Sequence, residues 1–397
     1  MRKSWLPPAG ENVFQRIKAA RAEAVAKGKK IIDLSIGQPT GPAIRMAREF
    51  ATSAILSDDQ QMHEYQDNGC LPMPDFAKRF VQCHVSVNLC TINDLSCLPT
   101  PGTKPILGLM PITCGASFNN TLLRIGTLTD PGYSTPSYWA NIFRAYTNHH
   151  PIELGQKNNF LFTLDQIEWL KDGGLLMMNY PHNPSGKTMN REWLEMICKF
   201  CQASNIRIFN DAAYAILHHT EGHVTLAEVA INYPALSWME AYSASKAGNF
   251  TGWRIGAMVG SEDFVSDFAR IKGNTDSGFN AALALGVLHL FENGLNHIDT
   301  VKELYRLRIE AIVQTLSCRG MKLAVQPEAG FFTLWMAPAS AFGVAIKDAE
   351  QFNNLMIENT GVMGVPFGSY IRYAVVGPVI ENIDEIAAAF DKAKVSY

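Results

Sequence analysis

The chain has no run of about eighteen apolar residues, the length that a helix needs to cross a bilayer, so no membrane span is expected. It has no excess of one charge either: 34 Lys and Arg stand against 37 Asp and Glu, a net charge of −3, with no long block of either sign. Such a balance makes nucleic acid and anionic membrane poor matches as partners. Secretion signals need an apolar stretch after their cations, but Met1–Lys3 is followed by Pro7, Pro8, Gly10 and Glu11. A cytoplasmic protein with reduced thiols is the expectation. Neither G-x4-G-K-[ST] nor G-x-G-x-x-G occurs, which removes the P-loop and the common dinucleotide fingerprint. Metal chemistry lacks its ligands. Cys198 and Cys201 form a C-x-x-C with no second pair at finger spacing, and they share a helical stripe with Trp193, Leu194, Ile197 and Phe200, which reads as core. His149, His150, His218, His219 and His223 have no ligand neighbours beyond Glu221, so no metal is expected. No internal repeat or low-complexity tract is visible.

What is present is ample core: 47% hydrophobic and 18% charged residues over 397 positions, enough for two or three domains or one large domain with an appendage. Helices are predicted over 11–27, 43–56, 75–87, 137–146, 164–170, 264–271, 281–292 and 298–316, with one starting near Pro105. Asn190 is placed to cap a further helix running to Ala203. Strands are predicted over 31–36, 94–100, 122–128, 151–154, 175–179, 207–210, 238–242 and 254–260. From 94 to 260 short apolar strands alternate with helices, the α/β pattern of a largely parallel sheet. After 261, strands at 322–325, 331–336 and 370–376 with helices at 350–358 and 383–394 suggest a small α+β unit.

Polar residues cluster just beyond the predicted strand ends, where open α/β sheets hold their ligands. Gly102-Thr103-Lys104 lies between a strand and a helix start, an arrangement that suits anions because the first helical N–H groups are unpaired. Asp211 and Tyr214 follow one strand. Lys246 follows another, in Ser243-Ala244-Ser245-Lys246, with Arg254 further on. An amine near hydroxyls, glycines and a guanidinium suits a phosphorylated aldehyde: the amine bonds the aldehyde, and the other groups hold the phosphate.

These residues, in this order, resemble the class I/II aminotransferases, which are fold-type-I enzymes dependent on pyridoxal 5′-phosphate. The resemblance runs from about Ile31 to the C-terminus and is carried by Gly37, Tyr65, Gly102-Thr103-Lys104, Asp130-Pro131-Gly132-Tyr133, His182-Asn183-Pro184-Ser185-Gly186, Asp211 with Tyr214, Ser243-x-Ser245-Lys246, Arg254 and Arg372. It implies a large cofactor-binding domain over 43–290, with a mostly parallel seven-stranded sheet, and a small domain built from 1–42 and 291–397. The implied activity is ping-pong transfer of an amino group between an L-amino acid and a 2-oxo acid, 2-oxoglutarate first among the acceptors. Lys246 would bond the cofactor and shuttle the proton, and Asp211 would keep the ring nitrogen protonated. Tyr214 and Asn183 would hydrogen-bond the phenolic oxygen, and Tyr133 would stack on the ring. Gly102, Thr103, Lys104, Ser243, Ser245 and Arg254 would hold the phosphate. Tyr65 would reach the phosphate of a second subunit, making a homodimer with shared sites. Arg372 would clamp the substrate's α-carboxylate, with Gly37 admitting it closely and Asn183 beside it.

Two stretches depart from the family pattern. Residues 364–370 are shorter than the usual loop before the carboxylate arginine, and Pro101-Gly102-Thr103-Lys104 replaces a serine–glycine pair. The Gly-x-Lys there, with Phe279-Asn280-Ala281, resembles LL-diaminopimelate aminotransferases; aspartate and aromatic donors stay open beside it. A lyase of the same fold, such as a C–S lyase, and a catalytically silent regulatory descendant are the alternative readings.

Overall fold

The computed structural model describes residues 13–118 and 121–397. The chain divides into two units: one holds the residues through Gly37, Leu307–Gln326 and Phe332–Tyr397, the other Gln38–Arg306 and Pro327–Phe331. These changeovers differ from the expected 42/43 and 290/291. One falls inside an unbroken helix, which carries no local punctuation, and the return at 327–331 is set by partners remote in sequence.

The smaller unit begins with α1 (Val13–Ala26), whose Ile17 and Ala24 pack with Ile357, Met363 and Val365. The predicted start of this helix, Glu11, lies outside the described residues, as do Met1–Lys3. β1 (Ile32–Asp33) is shorter than the expected 31–36 strand. It pairs in parallel with the equally short Val362–Met363, and only these two rungs form.

The larger unit runs through α2 (Arg45–Ile55), α3 (Phe76–Gln82), β2 (Leu95–Thr100), α4 (Lys104–Thr113), β3 (Leu123–Asp130), α5 (Thr135–Ile142), β4 (Thr147–Glu153), β5 (Leu175–Met178), α6 (Arg191–Ala203), β6 (Arg207–Asp211), α7 (Leu226–Ala230), β7 (Trp238–Ser243), β8 (Gly256–Ser261), α8 (Glu262–Lys272), α9 (Ala281–Asn293) and the start of α10 (Leu295–Ser317). Seven strands form one sheet in the order β2-β8-β7-β6-β5-β3-β4. All neighbours are parallel except those of β8, which runs against both β2 and β7. Every residue of β5 and β7 is buried, which is why these strands read as continuous runs rather than alternating ones. One face packs on α4 and α8: Ile125, Leu175, Met177, Phe209 and Met239 meet Ile106, Leu107, Phe264 and Phe268. Asn190 caps α6 as expected, its Oδ1 accepting from Trp193 N at 2.8 Å. Cys198 and Cys201 are buried on α6, and burial pushes the Cys198 thiol up to about 12.

Several boundaries depart from expectation. α3 stops at Gln82, whose side chain instead holds the chain that follows, donating to Val87 O (2.9 Å) and accepting from Leu89 N (2.9 Å). β4 extends back to Thr147 and takes in both His149 and His150. The predicted 164–170 helix is two 3-10 turns, the first closed by the Thr163–Gln166 capping box. Leu323 makes a single bridge to Trp335 where a strand was expected.

In the smaller unit, β9 (Phe332–Met336) is followed by the hairpin β10 (Ser340–Ala341) and β11 (Val344–Ala345), then α11 (Ala349–Thr360), β12 (Val362–Met363), β13 (Val365–Phe367), β14 (Tyr370–Ala374) and α12 (Ile383–Ala393). β13, β14 and β9 form an antiparallel sheet in that order. The short 364–370 stretch is therefore a tight hairpin. Phe367 pairs with Tyr370, and Gly368 turns the chain at φ +62°, a conformation that favours glycine. The hairpin delivers Arg372 to the middle of the small sheet, between Val365 and Leu334. Among the described residues no helix is long and apolar enough to cross a membrane, and no group of three or more His, Cys, Asp or Glu could hold a metal ion.

α9 lies against α2 so closely that a Cβ on Gly286 would sit 2.3 Å from Ala47 O and 2.9 Å from Ala51 Cβ. Helix propensity alone favours Gly286→Ala by roughly 1 kcal/mol, whereas overpacking costs about 1–3 kcal/mol. The clash is with backbone, so it dominates: Gly286→Ala should lower unfolding stability in a urea titration. An unchanged or higher midpoint would refute the close-packing argument.

Candidate active site

β6 and β7 are parallel neighbours with Asp211 opposite Ala241, so their C-terminal ends share one edge of the large sheet. β7 ends at Ser243, whose Oγ accepts from Ser245 N (3.2 Å) and donates to Ser245 Oγ (2.9 Å). This caps the single 3-10 turn Ala244–Lys246 that projects the lysine. Lys246 Nζ lies 5.8 Å from the centre of the Tyr214 ring.

Asp211 is 5% exposed. Burial lifts its carboxyl to about 6, against the pull of a hydrogen bond from Thr103, the Ala213 N–H at 3.3 Å and the Lys246 charge. Three elements thus converge on one carboxylate: the N-cap of α4, the turn after β6 and the turn after β7. Asn179 joins a fourth. Its Nδ2 donates to Asp211 O (2.8 Å) while its Oδ1 accepts from Asn183 N (3.1 Å), fixing the loop that carries Asn183. In that loop His182 is buried against Ser185 Oγ (2.7 Å), and burial pushes its imidazole down to about 3, so it stays neutral.

The turn before α4 brings together groups that could hold an anion. Gly102 sits at φ +74°, a conformation that favours glycine, and a Cβ there would lie 2.7 Å from Arg254 Nη2 and push the guanidinium off the turn. Arg254 donates to Pro101 O and Thr251 O, each at 2.8 Å, and forms no ion pair with an acidic side chain among the described residues. Thr100 Oγ1 is buried there without a hydrogen-bond partner, 3.1 Å from where a Cβ on Gly256 would stand. Lys104 opens α4 and is exposed. These groups fit a phosphorylated pyridine aldehyde: a cation tied to carbonyls with no acid of its own, an unsatisfied hydroxyl, an amine, and a buried carboxylate for a ring nitrogen.

Tyr133, following β3, is partly buried and packs on the core that includes Ile106 and Leu107. Tyr65 stands apart from this set: it is 87% exposed on its loop, and no hydrogen bond or ring contact among the described residues holds it.

In the smaller unit Arg372 is 2% exposed. Its guanidinium lies 4.0 Å from the centre of the Phe332 ring and 5.6 Å from that of Phe367, and its Nη2 donates to Ser35 O (3.1 Å). A Cβ on Gly37 would come within 3.7 Å of the same nitrogen. Sequence reasoning missed Asn179, the influence of Thr103 on Asp211 and the two phenylalanines. Asn179 carried a signal, an amide at the end of an apolar strand just before a Pro-rich turn.

The family model described as "Aminotransferase class I and II" matches residues 29–390. An LL-diaminopimelate aminotransferase from Natranaerobius thermophilus is 28% identical over 87% of this chain and 86% of its own. Among solved structures, substrate-bound BacF from Bacillus subtilis superposes with a TM-score of 0.84 at 20% identity, covering 99% of both chains. An aspartate aminotransferase from Thermus thermophilus gives 0.80 at 18% identity, covering 98% of this chain and 100% of that one. The likeness to these structures establishes the fold as type I.

Asp211 also makes a prediction about stability. Its folded value of about 6 lies above the ordinary 3.8, so the folded protein holds this proton more tightly than the unfolded chain does. Stability from this group is full below about pH 4 and is lost as pH rises through about 6, by roughly 2–3 kcal/mol. Asp211→Asn should therefore stabilise the cofactor-free protein at pH 8 by about 1–3 kcal/mol, with the gain shrinking towards pH 4.5. Denaturant titrations at the two pH values test this, and a gain independent of pH would contradict it.

Proposed function

We propose that Lys246 anchors the cofactor and carries the proton in this chain, which belongs to the class I and II aminotransferases. The enzyme depends on pyridoxal phosphate and moves an amino group between an amino acid and a 2-oxo acid. When bound, the cofactor supplies an aldehyde to the amine and a ring that draws electrons from the substrate's α-carbon. In the proposed scheme Lys246 takes the proton from that carbon and returns it, as an amine on a short turn can do once freed. Asp211 holds a proton at the ring nitrogen, which a buried carboxylate does well because its charge is poorly solvated elsewhere. Asn183 and Tyr214 donate to the phenolic oxygen, and Tyr133 covers the ring. Gly102, Thr103, Lys104, Ser243, Ser245 and Arg254 hold the phosphate. Arg372, stacked against two aromatic rings, grips the α-carboxylate, with Gly37 leaving room at its guanidinium; Asn183 is the further proposed substrate contact.

The observation that carries this reading is that the buried Asp211 and the turn bearing Lys246 stand at the C-terminal ends of the paired neighbouring strands β6 and β7. The named relative supports LL-diaminopimelate as the first donor to try, and Gly102-x-Lys104 supports it too. Asn280, from the second stretch behind that reading, is engaged as the N-cap of α9, accepting from Leu283 N at 2.9 Å. A homodimer with shared sites is supported by Tyr65 and the exposed Leu56 and Leu71 on the same stretch of chain. A cytoplasmic setting is supported by the eight cysteines, all free.

Purified wild-type protein should be yellow and Lys246→Ala colourless, with transamination reduced at least about 10³-fold; retained colour and turnover in the variant would refute the assignment. A donor panel with 2-oxoglutarate, including LL-diaminopimelate, aspartate and aromatic amino acids, should show LL-diaminopimelate fastest; a faster aspartate or aromatic donor would displace it. Arg372→Lys should raise KM for every donor about 10–100-fold through loss of the bidentate grip, and an unchanged KM would remove Arg372 from the substrate site. Tyr65→Ala and Lys246→Ala subunits, each defective alone, should regain activity when mixed, since one hybrid site then has both residues. No recovery from exchanged dimers would exclude a shared site.

A further inference from the structure

We propose that Glu328 is a positioning residue of the active site, strapping together the loops that carry Asn183 and Tyr214 and so setting how firmly those two side chains hold the cofactor's phenolic oxygen. This rests on the roles proposed above for Asn183 and Tyr214.

Residues Pro327–Phe331 belong to the larger unit although the chain on either side belongs to the smaller one. On one side the segment seizes the turn after Asn183. Glu328 N and Ala329 N both donate to Gly186 O, at 2.9 and 3.0 Å. The Glu328 carboxylate pairs with Lys187 Nζ at 2.5 Å and accepts from Thr188 N (2.9 Å) and Thr188 Oγ1 (2.6 Å). Gly186, at φ +71°, leaves no room for a side chain, since its Cβ would stand 3.0 Å from Ala329 O and from Pro327 Cβ. On the other side the segment grips the turn after Tyr214. Gly330 N donates to Leu217 O (2.9 Å), His219 N to Glu328 O (2.7 Å), and His219 Nε2 lies 2.6 Å from Gly330 O. A Cβ on Gly330 would lie 3.4 Å from Tyr214 Cδ1, and the Phe331 ring meets the Tyr214 ring edge-on at 5.5 Å.

The carboxylate is the charged fastener of this strap. Glu328 and Lys187 side chains are only 22% and 12% exposed, so the pair is screened little. Burial works against the ionised acid, yet hydrogen bonds from Lys187 and Thr188 hold its carboxyl below the ordinary value. Hydrogen bonds to a charged group exceed neutral ones in strength, so neutralising Glu328 loosens the Asn183 loop directly and, through the backbone of the same segment, the turn after Tyr214.

Hydrogen-bond donors at Asn183 and Tyr214 would favour the bound cofactor's phenolic oxygen most in its fully charged form, and so would lower the pH at which the holoenzyme gives up a proton. Looser donors therefore raise the pH at which the visible absorption of the enzyme changes. In the holoenzyme, Glu328→Gln, which keeps the shape and removes the charge, should move that midpoint upward by about half a pH unit or more. It should also lower kcat more than it alters KM. Thr188→Val should shift the midpoint the same way, and Thr188→Ser should restore it. Hydrogen exchange in the cofactor-free protein should quicken at 183–188 and 214–219 in Glu328→Gln and Thr188→Val. If Glu328→Gln does not fold, the Thr188 pair decides the question. Wild-type midpoints and exchange in the folded variants would overturn the proposal. A Lys246→Ala protein that keeps the absorption overturns the underlying site reading instead, and so separates the two failures.

Discussion

One buried carboxylate organises the larger unit. Asp211 sits at the end of a central strand where water cannot solvate its charge, and burial dominates the upward pull on its carboxyl. The turn into α4 sends it Thr103, its own turn sends the Ala213 N–H, and the strand beside it sends Lys246. These contributions draw the acid part of the way back, not fully, so burial still leaves its charged form in a costly state. Such tension is typical of sites whose ligand completes them. A ring nitrogen that shares its proton with Asp211 would supply the missing counterpart.

Much of this was legible because chemistry in parallel sheets collects at the carboxyl ends of strands. Buried strands such as Leu175–Met178 and Trp238–Ser243 are short apolar runs, and polar residues just after them stand out against that background. Lys246, Asp211 and Asn183 were singled out that way as candidates. Asn190 and the Cys198–Cys201 pair were read through helix periodicity and capping, both local properties of the chain. The class I and II family match over residues 29–390 agrees with the motif order.

What was not legible depends on partners distant in sequence. Glu240 looks like a stray charge in an apolar strand. It is fully buried and takes Asn210 Nδ2, Tyr242 OH and the N–H groups of Leu226 and Ala227, the last two at the start of a five-residue helix that no periodicity could reveal. Asn179 acts through Asp211, 32 positions away, and Glu328 through Lys187, 141 away. A two-residue hairpin turn in 364–370 could be counted as a missing loop but not seen as the hinge of a three-stranded sheet, because its pairing partner β9 lies more than thirty residues earlier by number, at 332–336.

The choice of cations follows the same physics. Lysine can lose its proton when its surroundings disfavour charge, whereas the guanidinium of arginine stays charged at any pH the protein meets. The chain places lysine at 246, where the proposed chemistry needs a proton to move, and arginine at 254 and 372, where it needs a fixed positive charge for an anion to meet. The surroundings match that division. Arg254 is tied by carbonyl oxygens, which orient a cation without neutralising it. Arg372 is packed by the faces of Phe332 and Phe367, which favour a planar cation and leave its in-plane N–H directions to oxygen acceptors such as Ser35 O. Exchanging the two residue types would preserve net charge and defeat both purposes, since an ammonium at 372 has no plane to stack and a guanidinium at 246 has no proton to give.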